Sequence, residues 1–156
     1  MGFILDAQGI HPSESKLTAI RNFPRPTNIS ELKSFIGLVI YYARFVPNLA
    51  TVLSPLYVLL RKGVVWKWDS AQEKAFVNCC NAITSDACLV HFDASKPILV
   101  QCDASPVGLG AVLSHRMPDG TERPFMFASR SLNSHERNYS QLDKKALGLI
   151  FAVLGD

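Results

Sequence analysis

The chain is short of the patterns that would place it in a membrane, on a secretion route or around a bound metal. Its 156 residues contain no stretch of about 18 uninterrupted apolar residues, so no membrane-spanning helix is expected. The opening MGFILDAQGIHP carries an acid at Asp6 and lacks both a basic start and a long apolar centre, so it does not read as a secretory signal. Asp6 also stands where an N-myristoylation signal needs Ser or Thr. There are only four cysteines, Cys79, Cys80, Cys88 and Cys102, and none forms a C-x-x-C pair. The histidines are not spaced around them as a metal site requires, so reduced thiols in an intracellular protein are expected. Internal repeats and low-complexity runs are absent.

What is present is a hydrophobic fraction of 48%, enough for one ordinary core or two small ones. The net charge of +3 hides an asymmetry: residues 1–68 sum to +5 and residues 69–156 to −2. A basic half beside an acidic half fits a polyanion-binding module joined to something else, although a solvated basic face would read the same way.

Along the chain, FILDAQGI reads as a two-stranded ribbon that needs partners elsewhere. Residues 12–63 read as about three helices. Leu17, Ile20 and Phe23 share a stripe of the first, which PRP at 24–26 stops. Asn28 and Glu31 suggest a capping box for the second, with Leu32, Phe35, Ile36, Val39 and Phe45 or Val46 on its apolar side and Pro47 at its end. The third is interrupted by Pro55 and closes on Arg61, Lys62 and Gly63. A further helix is capped by Asp69 or Ser70, with Glu73 at box distance and Ala75, Phe76, Cys79, Cys80 and Ile83 as its apolar face. KPILVQCDAS, GLGAVLSHR and RPFMFASRSL read as three strands, the last two joined at Asp119-Gly120. The final helix places Leu142, Ala146, Leu149, Ile150 and Val153 on an apolar stripe. The fold class is therefore α+β: a helical segment followed by a three-stranded antiparallel sheet with helices.

Asp103 stands out, a single carboxylate ending the apolar run LVQCDAS. It is read either as the cap of the turn that follows, through an Asx-type hydrogen bond, or as a ligand. Gly108 and Gly110 form a lone G-x-G followed by a strand, which marks a turn or bulge and not a phosphate cradle. Phe35, Tyr41, Tyr42 and Phe45 are core residues or duplex-stacking aromatics. Lys33, Arg44, Arg61 and Lys62 are a solvated face or phosphate contacts. His91, His115 and His135 show no partners and receive no role.

The segments FPRPTNISELKSFIGLVIYYARFVPNLATVLSPLYVLL, WKWDSAQEKAFVNCCNAITSDACLVHFDASKPILVQCDASPVGLGAVLS and FASRSLNSHERNYSQLDKKAL resemble the pol polyprotein of gypsy-like LTR retrotransposons, over essentially the whole chain. The resemblance implies a remnant of the reverse transcriptase palm ribbon at 1–11, a thumb-like helical segment at 12–63 and a truncated RNase H-like domain at 64–156. It implies an RNA–DNA hybrid or other duplex as a sequence-independent partner, held through Lys33, Arg44, Arg61 and Lys62, and the remainder of a pol polyprotein as a covalent one. The family's polymerase site uses a Tyr-x-Asp-Asp turn, and YYA at 41–43 has no aspartates.

RNase H enzymes of this family use two divalent cations, Mg²⁺ or Mn²⁺, about 4 Å apart, which several carboxylates must hold. Asp103 in CDAS matches the family's first metal-ligand aspartate. The second ligand is a glutamate in a pattern like YSQLDKEALA, where this chain reads YSQLDKKALG, so Lys145 replaces it. The later aspartates are expected beyond residue 156. An ammonium in place of a metal-bridging carboxylate changes the local charge by two units and disfavours dication binding by several kcal/mol, even at a moderate effective dielectric. Asp143 is about 200° around the helix from Lys145 and does not substitute for it. Two readings follow: part of a longer reverse transcriptase and RNase H product that is inactive alone, or a non-catalytic remnant that clamps duplex.

Overall fold

The structure, a computed structural model, describes residues 2–85 and 88–155. Strands β1 (Phe3–Asp6) and β2 (Gly9–Pro12) form the expected ribbon, followed by α1 (Glu14–Arg21), α2 (Ile29–Tyr41), α3 (Leu49–Val58) and α4 (Ser70–Thr84). Then come β3 (Ile98–Ala104), β4 (Gly108–Arg116), β5 (Glu122–Ser131) and α5 (Gln141–Leu154). The three later strands make an antiparallel sheet in the order β3-β4-β5, and the α+β class holds.

The ribbon is not isolated. Ile10 exchanges two backbone hydrogen bonds with Leu89 (2.7 and 3.0 Å), and Phe3 packs on Tyr41, Tyr42 and Phe45. Its turn is tied by Asp6, whose carboxylate accepts the Gln8 and Gly9 amides and meets His11 Nε2 at 2.8 Å.

Several helix boundaries differ from expectation. Asn28 caps α2 by accepting the Glu31 amide at 2.9 Å, but the Glu31 carboxylate reaches one residue further back, to the Thr27 amide and hydroxyl. Helix α2 ends at Tyr41, well before Pro47, because the chain tightens into a single 3₁₀ turn (Ala43–Phe45) that buries Tyr42, Phe45 and Val46. Helix α3 runs through Pro55, held by burial of Leu49, Leu53 and Leu56 despite the amide that proline lacks. Asp69 caps α4, and its box partner is Gln72, which returns its side-chain oxygen to the Asp69 amide at 3.2 Å. Glu73 instead accepts from the Trp68 indole (2.6 Å) and pairs with Arg25 (2.9 Å).

The larger core joins α1, α2 and α3 to α4: Ile20, Leu32, Phe35, Val39, Leu53 and Leu56 pack with Phe76, Cys79, Ile83 and Leu89. The packing therefore does not divide at residue 63, and Phe127 of β5 reaches this core from the sheet. The thiols are all free, and burial pushes Cys79 up to about 12 and Cys80 up to about 11, which keeps both protonated.

The sheet has two occupied faces. In the ladder Asp103 opposes Gly110, and Gly110 opposes Ser129. Side chains directly opposite in a ladder share a face. On that face the Ala50 amide donates to Ser129 Oγ at 3.0 Å, and the Thr51 and Ser105 hydroxyls are 2.8 Å apart. Gly108 and Gly110 lie within β4, paired with Ser131 and Ser129, and the β4–β5 register shifts elsewhere, at Leu113/Ser114. A Cβ on Gly110 would collide with the Asn48 side chain, and one on Gly108 would lie 2.9 Å from Thr51 Oγ1. The two glycines leave the space into which the start of α3 settles.

Helix α5 covers the other face with a side that periodicity did not select. Leu147, Gly148 and Phe151 face Ala104, Leu109 and Leu132, and the stem of Lys144 is buried beside them. Leu142, Leu149, Ile150 and Val153 are exposed. A Cβ at 148 would meet that of Cys102 at an ordinary contact distance of 3.6 Å, which places this side of the helix against β3.

His115, given no role from sequence, is fully buried in β4. Its Nε2 accepts the Asp93 amide at 3.0 Å, and its Nδ1 donates to the Pro97 carbonyl at 3.2 Å, against the Phe125 ring at 4.5 Å. The expected result for His115→Leu is a loss of about 2–4 kcal/mol in chemical denaturation, because an amide and a carbonyl lose their partners. Hydrogen bonding to Asp6 raises His11 above its ordinary 6.5, and the same bond lowers Asp6 below 3.8. The pair thus supports the ribbon between those two values, weakening as pH rises through His11 or falls through Asp6. An NMR titration should place the His11 midpoint above 6.5, and Asp6→Asn should lower it.

Candidate nucleic-acid interface and carboxylate site

Asp103 lies at the end of β3, exposed, where the sequence placed it. Among the described residues its Oδ1 accepts only the adjacent Ala104 amide, at 2.8 Å. The turn after it is capped by Ser105, not by Asp103. Ser105 Oγ accepts the Val107 and Gly108 amides at 3.2 and 2.9 Å, and the Ser105 amide donates to the Gly108 carbonyl at 2.8 Å. With the cap supplied by a hydroxyl two residues on, the carboxylate makes no other hydrogen bond among the described residues.

Lys145 is exposed on α5, one turn after Gln141, whose side-chain amide donates to the Ala104 carbonyl at 3.0 Å. That bond and the close approach at Gly148 bracket Lys145 and put it on the side of α5 that meets the end of β3. Asp103, by its register with Gly110, belongs to the opposite face, with Asn48. Asp103 and Lys145 form no ion pair among the described residues. Asp143 accepts from the Ser140 hydroxyl at 2.6 Å while its amide donates back to that oxygen at 3.1 Å, so it is spent on capping α5.

The residues present do not fit a pair of divalent cations. Among the described residues no group of three or more His, Cys, Asp or Glu side chains gathers where a metal could be held. Lys145, where the sequence resemblance implies a second carboxylate, carries an ammonium group.

The aromatic candidates divide. Phe35, Tyr42 and Phe45 are buried in the core, and Tyr41 alone is largely exposed, stacked on Phe3 at 5.0 Å. The basic candidates Lys33, Arg44, Arg61 and Lys62 are all exposed. Arg44 rests over the Phe3 ring at 5.5 Å, and the other three make no side-chain ion pair among the described residues. Sequence reasoning missed Arg137, which the structure brings beside Arg61, together with Ser54, Tyr57 and Ser131, around a cleft of about 270 Å³. Arg61 and Arg137 are far apart in the chain, so no spacing rule pointed to the pair.

No helix among the described residues is long and apolar enough to cross a membrane. Residues 68–154 match the family model for the RNase H-like domain found in reverse transcriptase. Over 150 residues the chain is 35% identical to the transposon Tf2-3 and Tf2-4 polyproteins of Schizosaccharomyces pombe, covering 96% of this chain and 11% of each polyprotein. It therefore spans only 11% of the length of these curated relatives. Its fold is similar to that of a foamy viral protease-reverse transcriptase dRH in complex with ds DNA (TM-score 0.83, 25% identity, covering 99% of this chain and 27% of that one). It is also similar to a foamy viral protease-reverse transcriptase in complex with RNA/DNA hybrid (TM-score 0.80, 25% identity, covering 99% and 21%). With more than half of its residues inside the matching model, the chain belongs to the RNase H-like domain family of reverse transcriptases and is a retrotransposon pol segment.

Proposed function

We propose that this chain holds nucleic-acid duplex without cutting it, as a segment of a reverse transcriptase and RNase H polyprotein. The observation that carries the reading is Lys145 on α5, where the family pattern has a glutamate. In the complete family site a divalent cation would supply Lewis-acid activation of water. Asp103 would be one ligand, and no second carboxylate accompanies it among the described residues. The position from which the family draws that second carboxylate carries an ammonium group instead, on the helix across the sheet.

Binding needs less than catalysis. Phosphate contacts require exposed cations and hydroxyls on a rigid surface, and they are independent of sequence. Lys33, Arg61 and Lys62 offer charge that is unpaired among the described residues, on or beside the helices, and Arg44 rests over the Phe3 ring. The solved relatives that share the fold over nearly the whole chain hold dsDNA and RNA/DNA hybrid, which supports a duplex as the ligand class. In this reading residues 1–11 descend from the palm ribbon, 12–63 from the thumb and 64–156 from the RNase H-like unit. The remainder of a pol product is the covalent partner, and the setting is intracellular.

Incubated with a labelled RNA–DNA hybrid and Mg²⁺ or Mn²⁺, the chain should leave the RNA strand intact. Metal-dependent cleavage that Asp103→Asn abolishes would contradict the reading. In a salt series, duplex affinity should fall as a power of salt concentration. Neutralising Lys33, Arg44, Arg61 and Lys62 together should flatten that slope by about 3–4 for B-DNA. An unchanged slope would remove these side chains from the interface.

A further inference from the structure

We infer that the cleft between α3 and the end of β5 is a seat for one backbone phosphodiester, with Arg61 and Arg137 as its paired cations. This rests on the duplex-binding reading and locates a contact that the reading leaves open. Ser54, Tyr57 and Arg61 follow one another at three- and four-residue spacing along α3 and the turn that continues it, so they present one stripe. Ser131 at the end of β5 and Arg137 beyond it close the other side, around about 270 Å³.

The donor set selects the ligand. Two arginines and three hydroxyl-bearing residues line the cleft, and among the described residues no carboxylate does. Arg137 Nε donates to the Leu132 carbonyl at 3.1 Å, which fixes the plane of the guanidinium while its two terminal nitrogens remain without partners among the described residues. The nearest acid in sequence, Glu136, is neutralised by a two-pronged pair with Arg130 (2.9 and 3.0 Å) and also accepts the Asn133 amide at 2.9 Å. Its pKa is lowered chiefly by that Arg130 pairing, so it does not draw Arg137 away. A planar fork with free terminal nitrogens, opposed by a second guanidinium and flanked by hydroxyls, matches the oxygens of a phosphodiester. The cleft is open to solvent at Arg61, Ser131 and Arg137, which admits a phosphate still joined to its strand on both sides.

The experiment measures duplex affinity of the full chain by fluorescence anisotropy across a salt series, with a B-DNA and an RNA–DNA hybrid probe. Arg137→Gln should weaken binding about tenfold and reduce the salt slope by about 1, on both duplexes alike. Arg137→Lys should keep the slope while losing part of the affinity, because the charge stays and the fork is lost. Ser54→Ala, which does not touch the turn that Arg137 supports, should weaken binding severalfold with no change in slope. If the unaltered chain binds while Arg137→Gln and Ser54→Ala bind equally well, the cleft assignment is overturned and the duplex reading stands. If the unaltered chain binds neither duplex at low salt, both are overturned. Should polyglutamate of matched charge compete as strongly as duplex, through the same residues, the cleft belongs to protein carboxylates and the phosphodiester assignment fails.

Discussion

The close approach of the start of α3 to β4 is the constraint on which the rest of the arrangement depends. Asn48 takes a left-handed backbone conformation (φ 52°), which asparagine tolerates better than most residues, and the chain turns there into α3 over Gly110. Ala50 and Thr51 then anchor the first turn to Ser129 and Ser105. Through this contact the helical core and the sheet become neighbours in one packed body, with Phe127 completing the join. The later turns of the same helix carry Ser54, Tyr57 and Arg61, so the docking of the first turn also decides what the cleft is made of.

The same contact bears on Asp103. Its ladder partner is the glycine that receives Asn48, so the carboxylate belongs to the face that the helical segment occupies. Helix α5 lies across the sheet with Lys145 on its rim. A site for two dications needs several carboxylates converging on a small volume. Here the described residues offer one carboxylate, held by one amide, and Lys145 where the sequence resemblance implies the next. Exposed cations and hydroxyls meet the weaker demands of phosphate contact.

Much of this was legible in the sequence because the strong signals were local. Asp119-Gly120 marked the hairpin, Asn28 and Asp69 marked two helix starts, and the apolar runs located all three sheet strands. What misled was tertiary. Periodicity assigned the apolar stripe of α5 to the core, whereas the helix packs on the sheet through Leu147, Gly148 and Phe151 and leaves that stripe exposed. The glycines of β4 read as a turn because the segment that needs their missing side chains lies about sixty residues earlier in the chain. His115 appeared partnerless because its partners are backbone groups of Asp93 and Pro97. At the candidate site, the identities of Asp103 and Lys145 were readable from the pattern around them, but their separation onto two sides of one sheet was not.

Paramagnetic broadening by Mn²⁺ tests the central claim, that the chain carries no assembled dication centre, more directly than any activity. In an amide NMR spectrum of the unaltered chain, substoichiometric Mn²⁺ should broaden no signals selectively around Asp103, Ala104, Gln141 and Lys145. Selective loss of those signals, reversed by Asp103→Asn, would contradict the account.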